Sequence, residues 1–210
     1  MKKNILNIIL IFTCAIAFSQ VKIQPGIKSG LNISNLSNVS RSDSKTGLQG
    51  GLFLNIKLTR FYELQPEINY SNQGATIEYR SFSNDIFNSS IITRERDLVL
   101  EYIGLNVANK FYPINNLGFN LTVGPGLDIL IKDNDTDITP IDIVFFGGVG
   151  YEFPFGLGLE LRYKQGIIDV RDDFYDDYDY DDDDDDDYFD DTILNGVIQF
   201  SISYRLDFSK

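Results

Sequence analysis

The chain reads as all-β: an eight-stranded antiparallel transmembrane β-barrel with short periplasmic turns and long extracellular loops. Three observations predict this. Apolar residues recur with a period of two in segment after segment, the signature of strands with one apolar face. The segments number eight, and their connections alternate between short and long. After residue 20 there is no apolar run of the roughly 20 residues that a spanning helix needs.

The strands follow in order. The first covers about 22–33. The second, 48–58, places Leu48, Leu52, Leu54, Ile56 and Leu58 on one face and Gln49, Phe53, Asn55 and Lys57 on the other. A turn near Thr59-Arg60 leads to the third, about 61–71, and the fourth covers about 98–111. After Pro113-Ile114-Asn115-Asn116 the fifth, 117–131, sets Leu117, Phe119, Leu121, Val123, Leu127, Ile129 and Ile131 against Asn120, Thr122, Gly124, Gly126 and Asp128. The sixth covers about 141–153 and turns at Phe153-Pro154-Phe155. The seventh, 155–163, opposes Leu157, Leu159, Leu161 and Tyr163 to Gly158, Glu160 and Arg162. The eighth, 194–208, opposes Leu194, Ile198, Phe200, Ile202, Tyr204 and Leu206 to Asn195, Gln199, Ser201, Ser203 and Arg205. The long connections fall at about 34–46, 72–97, 132–140 and 168–192. An even strand number returns both termini to the periplasmic side.

Period two alone does not say which face meets solvent. A soluble ligand-binding barrel in the periplasm would alternate too, with its apolar face inward. The length and completeness of the apolar stripe favour lipid, since a tilted spanning strand needs about 9–11 residues. The opposite face carries Lys28, Lys57, Glu63, Glu67, Lys110, Glu152, Glu160, Arg162, Lys164 and Arg205 among glycines. Eight strands enclose just enough interior for side chains to fill, so these charges are expected to pair as a polar plug. Aromatic residues gather at the predicted turns: Phe61, Tyr62, Phe111, Tyr112, Tyr151, Phe153, Phe155, Tyr204 and Phe208. They suit interfacial girdles.

The N-terminus, MKKNILNIILIFTCAIAFSQ, has a basic start at Lys2 and Lys3, an apolar stretch from Ile5 to Phe18, and small residues at Ala17 and Ser19. Residues 1–19 read as a secretory signal peptide, implying Sec-dependent export, with 20–210 as one barrel domain. The single cysteine, Cys14, lies in that signal, so no disulfide framework is expected in the mature chain. The chain has no histidine, which removes Ser-His-Asp and Cys-His catalysis and His-ligated zinc. No enzyme is expected and no cofactor is required. Glu63 and Glu67 share the lumen-facing phase, and interior ion pairing is the expected role for both.

The stretches Gly26-Ile27-Lys28-Ser29-Gly30-Leu31-Asn32, Leu64-Gln65-Pro66-Glu67-Ile68-Asn69-Tyr70 and Tyr102-Ile103-Gly104-Leu105-Asn106-Val107 carry a family likeness. So do Gly147-Gly148-Val149-Gly150-Tyr151-Glu152-Phe153 and Leu159-Glu160-Leu161-Arg162-Tyr163-Lys164-Gln165-Gly166. With these the chain resembles the small outer-membrane barrels of the Bacteroidetes type, the PorT-like outer membrane protein β-barrel domain. The resemblance implies an integral outer-membrane barrel. It also implies, as an alternative role, an accessory part in protein secretion across that membrane. It brings no catalytic motif.

Residues 171–191, RDDFYDDYDYDDDDDDDYFDD, depart from that family pattern. The run contains 14 aspartates in a chain of formal net charge −13, so everything outside these aspartates sums to +1. Like charges keep such a run extended, as an Asp-rich extracellular loop. Carboxylates are hard ligands suited to Ca²⁺ or Mg²⁺, and Asp177, Asp179, Asp181, Asp183, Asp185 and Asp187 are the candidate weak divalent-cation ligands. An EF-hand is excluded, because Asp182 and Tyr188 stand where Gly and the bidentate Glu are required. The expected partners are outer-membrane lipid and, at the loop, divalent cations or a basic surface partner. Nucleic acid is disfavoured by the sign of the charge. The function expected is structural or one of surface interaction.

Overall fold

Eight antiparallel strands close on themselves in chain order. They are β1 (Lys22–Leu36), β2 (Ser42–Lys57), β3 (Tyr62–Asp85), β4 (Asn88–Phe111), β5 (Phe119–Asp133), β6 (Ile141–Glu152), β7 (Leu157–Gly166) and β8 (Asn195–Arg205). The computed structural model describes residues 22–37, 42–85, 88–114, 117–134, 138–171 and 192–207. The segment 1–19 expected to be a signal peptide, the aspartates from 172 to 191 and Phe208 lie outside the described residues.

Closure is made by β1 against β8, from Gly26 opposite Arg205 to Leu36 opposite Asn195. That ladder leaves no open sheet edge along the wall. Lipid requires this, because an unpaired backbone group in hydrocarbon costs several kcal/mol. The short connections have identifiable chemistry at their described residues. Gly118 (φ 81°) and Gly156 (φ 96°) take left-handed conformations that side chains resist. The Gly118 carbonyl accepts from the Glu152 amide at 2.8 Å, and that of Gly156 from the Arg205 amide at 2.9 Å.

The inside–outside assignment follows the period. Leu48, Leu52, Ile202 and Phe145 are 55–66% exposed on the outer wall. Their inward neighbours Gln49, Phe53, Ser201 and Phe146 are buried. A belt of exposed Leu, Ile, Val and Phe circles the barrel, which excludes the soluble barrel with an apolar interior. Phe61, Phe111, Tyr151, Phe155 and Tyr204 stand outward near the short turns. Tyr112 does not join them: it turns into the lumen mouth and donates to Glu63 at 2.8 Å.

Two expected loops are largely strand. In place of a loop at 72–97, β3 and β4 stay in register from Tyr62 opposite Phe111 to Asp85 opposite Asn88. The pairing of β2 with β3 ends at Ser42 opposite Ile77, and that of β5 with β4 at Asp133 opposite Leu100. The far part of this hairpin is therefore a two-stranded ribbon standing beyond the barrel wall. Likewise, 34–46 is not one long loop, since β1 extends to Leu36 and β2 begins at Ser42. Strands outside the membrane need no apolar face, so hydrophobic period fails there while ladder pairing continues.

Leu161 lies midway along the apolar stripe, level with Phe200 and Val149 on the adjoining strands. Leu161→Arg is expected to cost about 2–4 kcal/mol, the depth-dependent penalty of a charge on the lipid face near the midplane. Urea unfolding in lipid vesicles measures it, and an unchanged midpoint would place that face away from hydrocarbon.

Candidate functional site: the filled lumen and its two ends

The inward residues of all eight strands build a polar interior in layers. At its centre is Glu67, which carries no exposed side-chain surface. Arg162 grips it with both terminal nitrogens, at 3.0 and 2.9 Å. Lys28 donates to it at 2.7 Å, Gln65 at 2.8 Å and Asn69 at 3.2 Å. Five donors from three strands thus converge on one carboxylate. Arg162 also pairs with Glu160 at 2.7 Å and lies 4.1 Å from the centre of the Phe146 ring, a desolvated cation–π contact.

Above this centre lies a layer of amides and hydroxyls. Gln199 donates to Asn32 and to Gln49, both at 3.1 Å, while Gln49 donates to Ser201 at 3.0 Å. Asn195 donates to Gln73 at 2.6 Å, and Gln73 donates to Asp128, which Lys164 also meets as an ion pair. Higher still the lining turns apolar. Leu36, Ala75, Leu98, Leu100, Tyr102 and Val170 pack together, with Leu130, Ile138 and Ile193 against them. This cap closes the lumen at the end that carries the long loops.

Glycines make the polar fill possible. Asn69 pairs across the ladder with Gly51, Asn106 with Gly126, Asp128 with Gly104, and Asn120 with Gly150. Each Asn or Asp side chain lies over the glycine of the next strand. A Cβ at Gly104 would stand 2.8 Å from Asp128 Oδ1, and one at Gly150 would stand 2.7 Å from Asn120 Oδ1. Only a residue with no side chain leaves that space free.

The short-turn end is a mouth where Lys57 and Arg205 each lie 3.5 Å from Glu63, and Arg205 lies 2.9 Å from Glu152. At the other end the stems of the acidic run are fixed to the rim. Asp169 accepts the amides of Arg171 at 2.9 Å and Ile193 at 3.1 Å. Asp142 accepts the amides of Ile167 and Ile168 at 3.2 and 3.1 Å.

All ten charged residues expected to face the lumen do so, and Glu63 and Glu67 are ion-paired rather than paired with each other. Asp128, Gln49, Asn195, Gln199 and Ser201 lie inward, on the polar face the period gives them, while Asp142 and Gln73 escaped the sequence reading. The six candidate cation ligands, Asp177 to Asp187, lie outside the described residues. Among those described, no group of three or more acidic residues is placed to hold a metal ion.

A small closed barrel, apolar outside and filled with polar side chains, defines an integral membrane barrel of the outer-membrane class. The family of the outer membrane protein beta-barrel domain matches residues 18–172, and the chain belongs to it. Among solved structures the barrel is similar to Neisserial surface protein A, at 12% identity and a TM-score of 0.51. That likeness covers 87% of this chain and 97% of that one. It is also similar to Ail, the attachment invasion locus protein of Yersinia pestis, at 10% identity and a TM-score of 0.46, covering 87% and 98%. At such identities the likeness is one of fold. None of the curated proteins matches the chain.

Removing one partner from a buried ion pair leaves the other charge uncompensated, at a cost of about 3–5 kcal/mol. Glu67→Ala strands Lys28, whose ion pair at 2.7 Å is with Glu67, and leaves Arg162 with Glu160 alone. It is expected to lower barrel stability by about that amount, read as the urea midpoint in vesicles. A loss under about 1 kcal/mol, the worth of an exposed pair, would mean that water already screens this centre.

Proposed function

We propose that the protein is a display barrel of the outer membrane, with a structural or surface-interaction role exercised by its outer loops. In this reading it neither transports nor catalyses, and it requires no cofactor. The observation that carries the reading is the filled lumen, in which stacked side-chain layers beneath an apolar cap leave the outer face as the part free to act. Export through the Sec route, by the signal segment 1–19, belongs to the same proposal.

The run 172–191 is the proposed contact element, binding Ca²⁺ or Mg²⁺ loosely through Asp177, Asp179, Asp181, Asp183, Asp185 and Asp187, or meeting a basic partner. Its support is the density of carboxylates together with the fixed stems. Arg171 and Ile193 both donate to Asp169, so the run leaves and re-enters at one point on the rim. The PorT-like resemblance supports a second reading, an accessory beside a secretion apparatus, which would show as co-purification with secretion components.

In planar bilayers the purified barrel is expected to give no stable conductance steps. Steady ohmic steps would contradict the plugged reading. Deleting 172–191 is expected to leave the barrel folded and to abolish Ca²⁺ binding measured by calorimetry. Equal Ca²⁺ uptake by the shortened chain would remove the loop from the proposal.

A further inference from the structure

We propose that the short-turn mouth of the barrel is a binding site for a small anion bearing a phosphate or carboxylate group, held by Arg60 with Lys57 and Arg205. A cavity of about 670 Å³ opens there, with Glu63, Glu152 and Phe153 also in its wall. Its floor is the ion-pair layer in which Glu152 meets Lys110 at 3.2 Å and Arg205 at 2.9 Å.

The charges of this mouth are matched differently from those deeper in the lumen. Lys28 lies 2.7 Å from a carboxylate, Arg162 2.7 Å, and Lys164 is in direct contact with Asp128. At the mouth three cations face two carboxylates. Glu63 is already engaged, accepting from Asn55 at 2.7 Å and Tyr112 at 2.8 Å. It stands 3.5 Å from both Lys57 and Arg205, the looser end of ion-pair range. The Lys57 side chain is 48% exposed. Arg60, exposed on the turn between β2 and β3, makes no hydrogen bond or ion pair among the described residues.

Among the described residues one full positive charge is therefore unanswered at the rim of a recessed cavity, and an excess of one sign in a cleft concentrates field on an entering ligand. A guanidinium offers paired donors that match a carboxylate or phosphate edge. Phe153 and Pro154 supply an apolar wall for whatever carries the anionic group. The opening lies at the short-turn end, so the ligand comes from the periplasm or from a phospholipid headgroup of the inner leaflet.

The test uses the full chain in neutral maltoside micelles, with inorganic phosphate as probe and chloride at matched ionic strength as reference. The Arg60 Nε–H resonance reports binding. The expected result is a saturable shift with phosphate and none with chloride. In Arg60→Gln, which removes no hydrogen bond or ion pair among the described residues, apparent affinity read at the surrounding resonances should fall roughly tenfold, as loss of a charge-assisted contact implies. Nanodiscs of anionic against zwitterionic phospholipid distinguish the source. A shifted Arg60 resonance in anionic discs that added phosphate no longer moves identifies the headgroup. A disc in which phosphate still titrates identifies a soluble anion. No saturable shift in micelles together with an Arg60 resonance that is the same in anionic and zwitterionic discs overturns the proposal, as does a shift of equal size in Arg60→Gln at the surrounding resonances.

Discussion

Hydrocarbon offers no hydrogen bonds, and the rest of this structure follows from that constraint. Every backbone donor in the membrane must find an acceptor within the protein, so the sheet has to close, here by β8 returning to β1. Closure with eight strands then fixes the interior, which is too narrow for a wide channel and too wide to stay empty. The alternation of side chains does the rest. One phase meets lipid and must be apolar; the other meets only the opposite wall and fills it.

The filling is polar through most of its depth, and this needs more than charge balance. Burying charges is costly unless each is paired and its remaining lone pairs are satisfied. Glu67 meets that condition with five donors from Lys28, Gln65, Asn69 and Arg162. The bulk of these side chains is accommodated by glycines placed one strand away, as with Asp128 over Gly104. The apolar cap around Leu100 and Tyr102 completes the seal where the outer loops join. A barrel of this kind gives its interior to stability, so in the proposed reading recognition falls to its ends.

Most of the barrel was legible in the sequence because lipid imposes a strict period of two. β2, β5, β7 and β8 obey it along their membrane spans. β4 reads less cleanly for a structural reason: Leu98, Leu100 and Tyr102 are apolar yet point inward, into the cap, before Asn106 and Lys110 resume the polar phase. β6 is similar, with Val144 and Phe146 inside. The outer half of the β3–β4 hairpin reads as loop because nothing there demands an apolar face. The lumen charges could be identified from phase alone. Their partners could not, because pairing Lys28 with Glu67 or Asn69 with Gly51 depends on register, which the period does not encode. Tyr112 and Phe153 were misleading, since an aromatic at a turn suits a girdle as well as a mouth.

The central claim is that this chain is a closed membrane barrel held by its own ladder and a packed interior. Electrophoretic mobility of the membrane-extracted protein in SDS, unheated against boiled, tests it most directly. A closed and filled barrel keeps its compact form in SDS until heated, so the account predicts two mobilities with a heat-dependent shift between them. A single mobility at all temperatures, from protein recovered in the soluble fraction, would contradict both the closure and the outward placement of the apolar face.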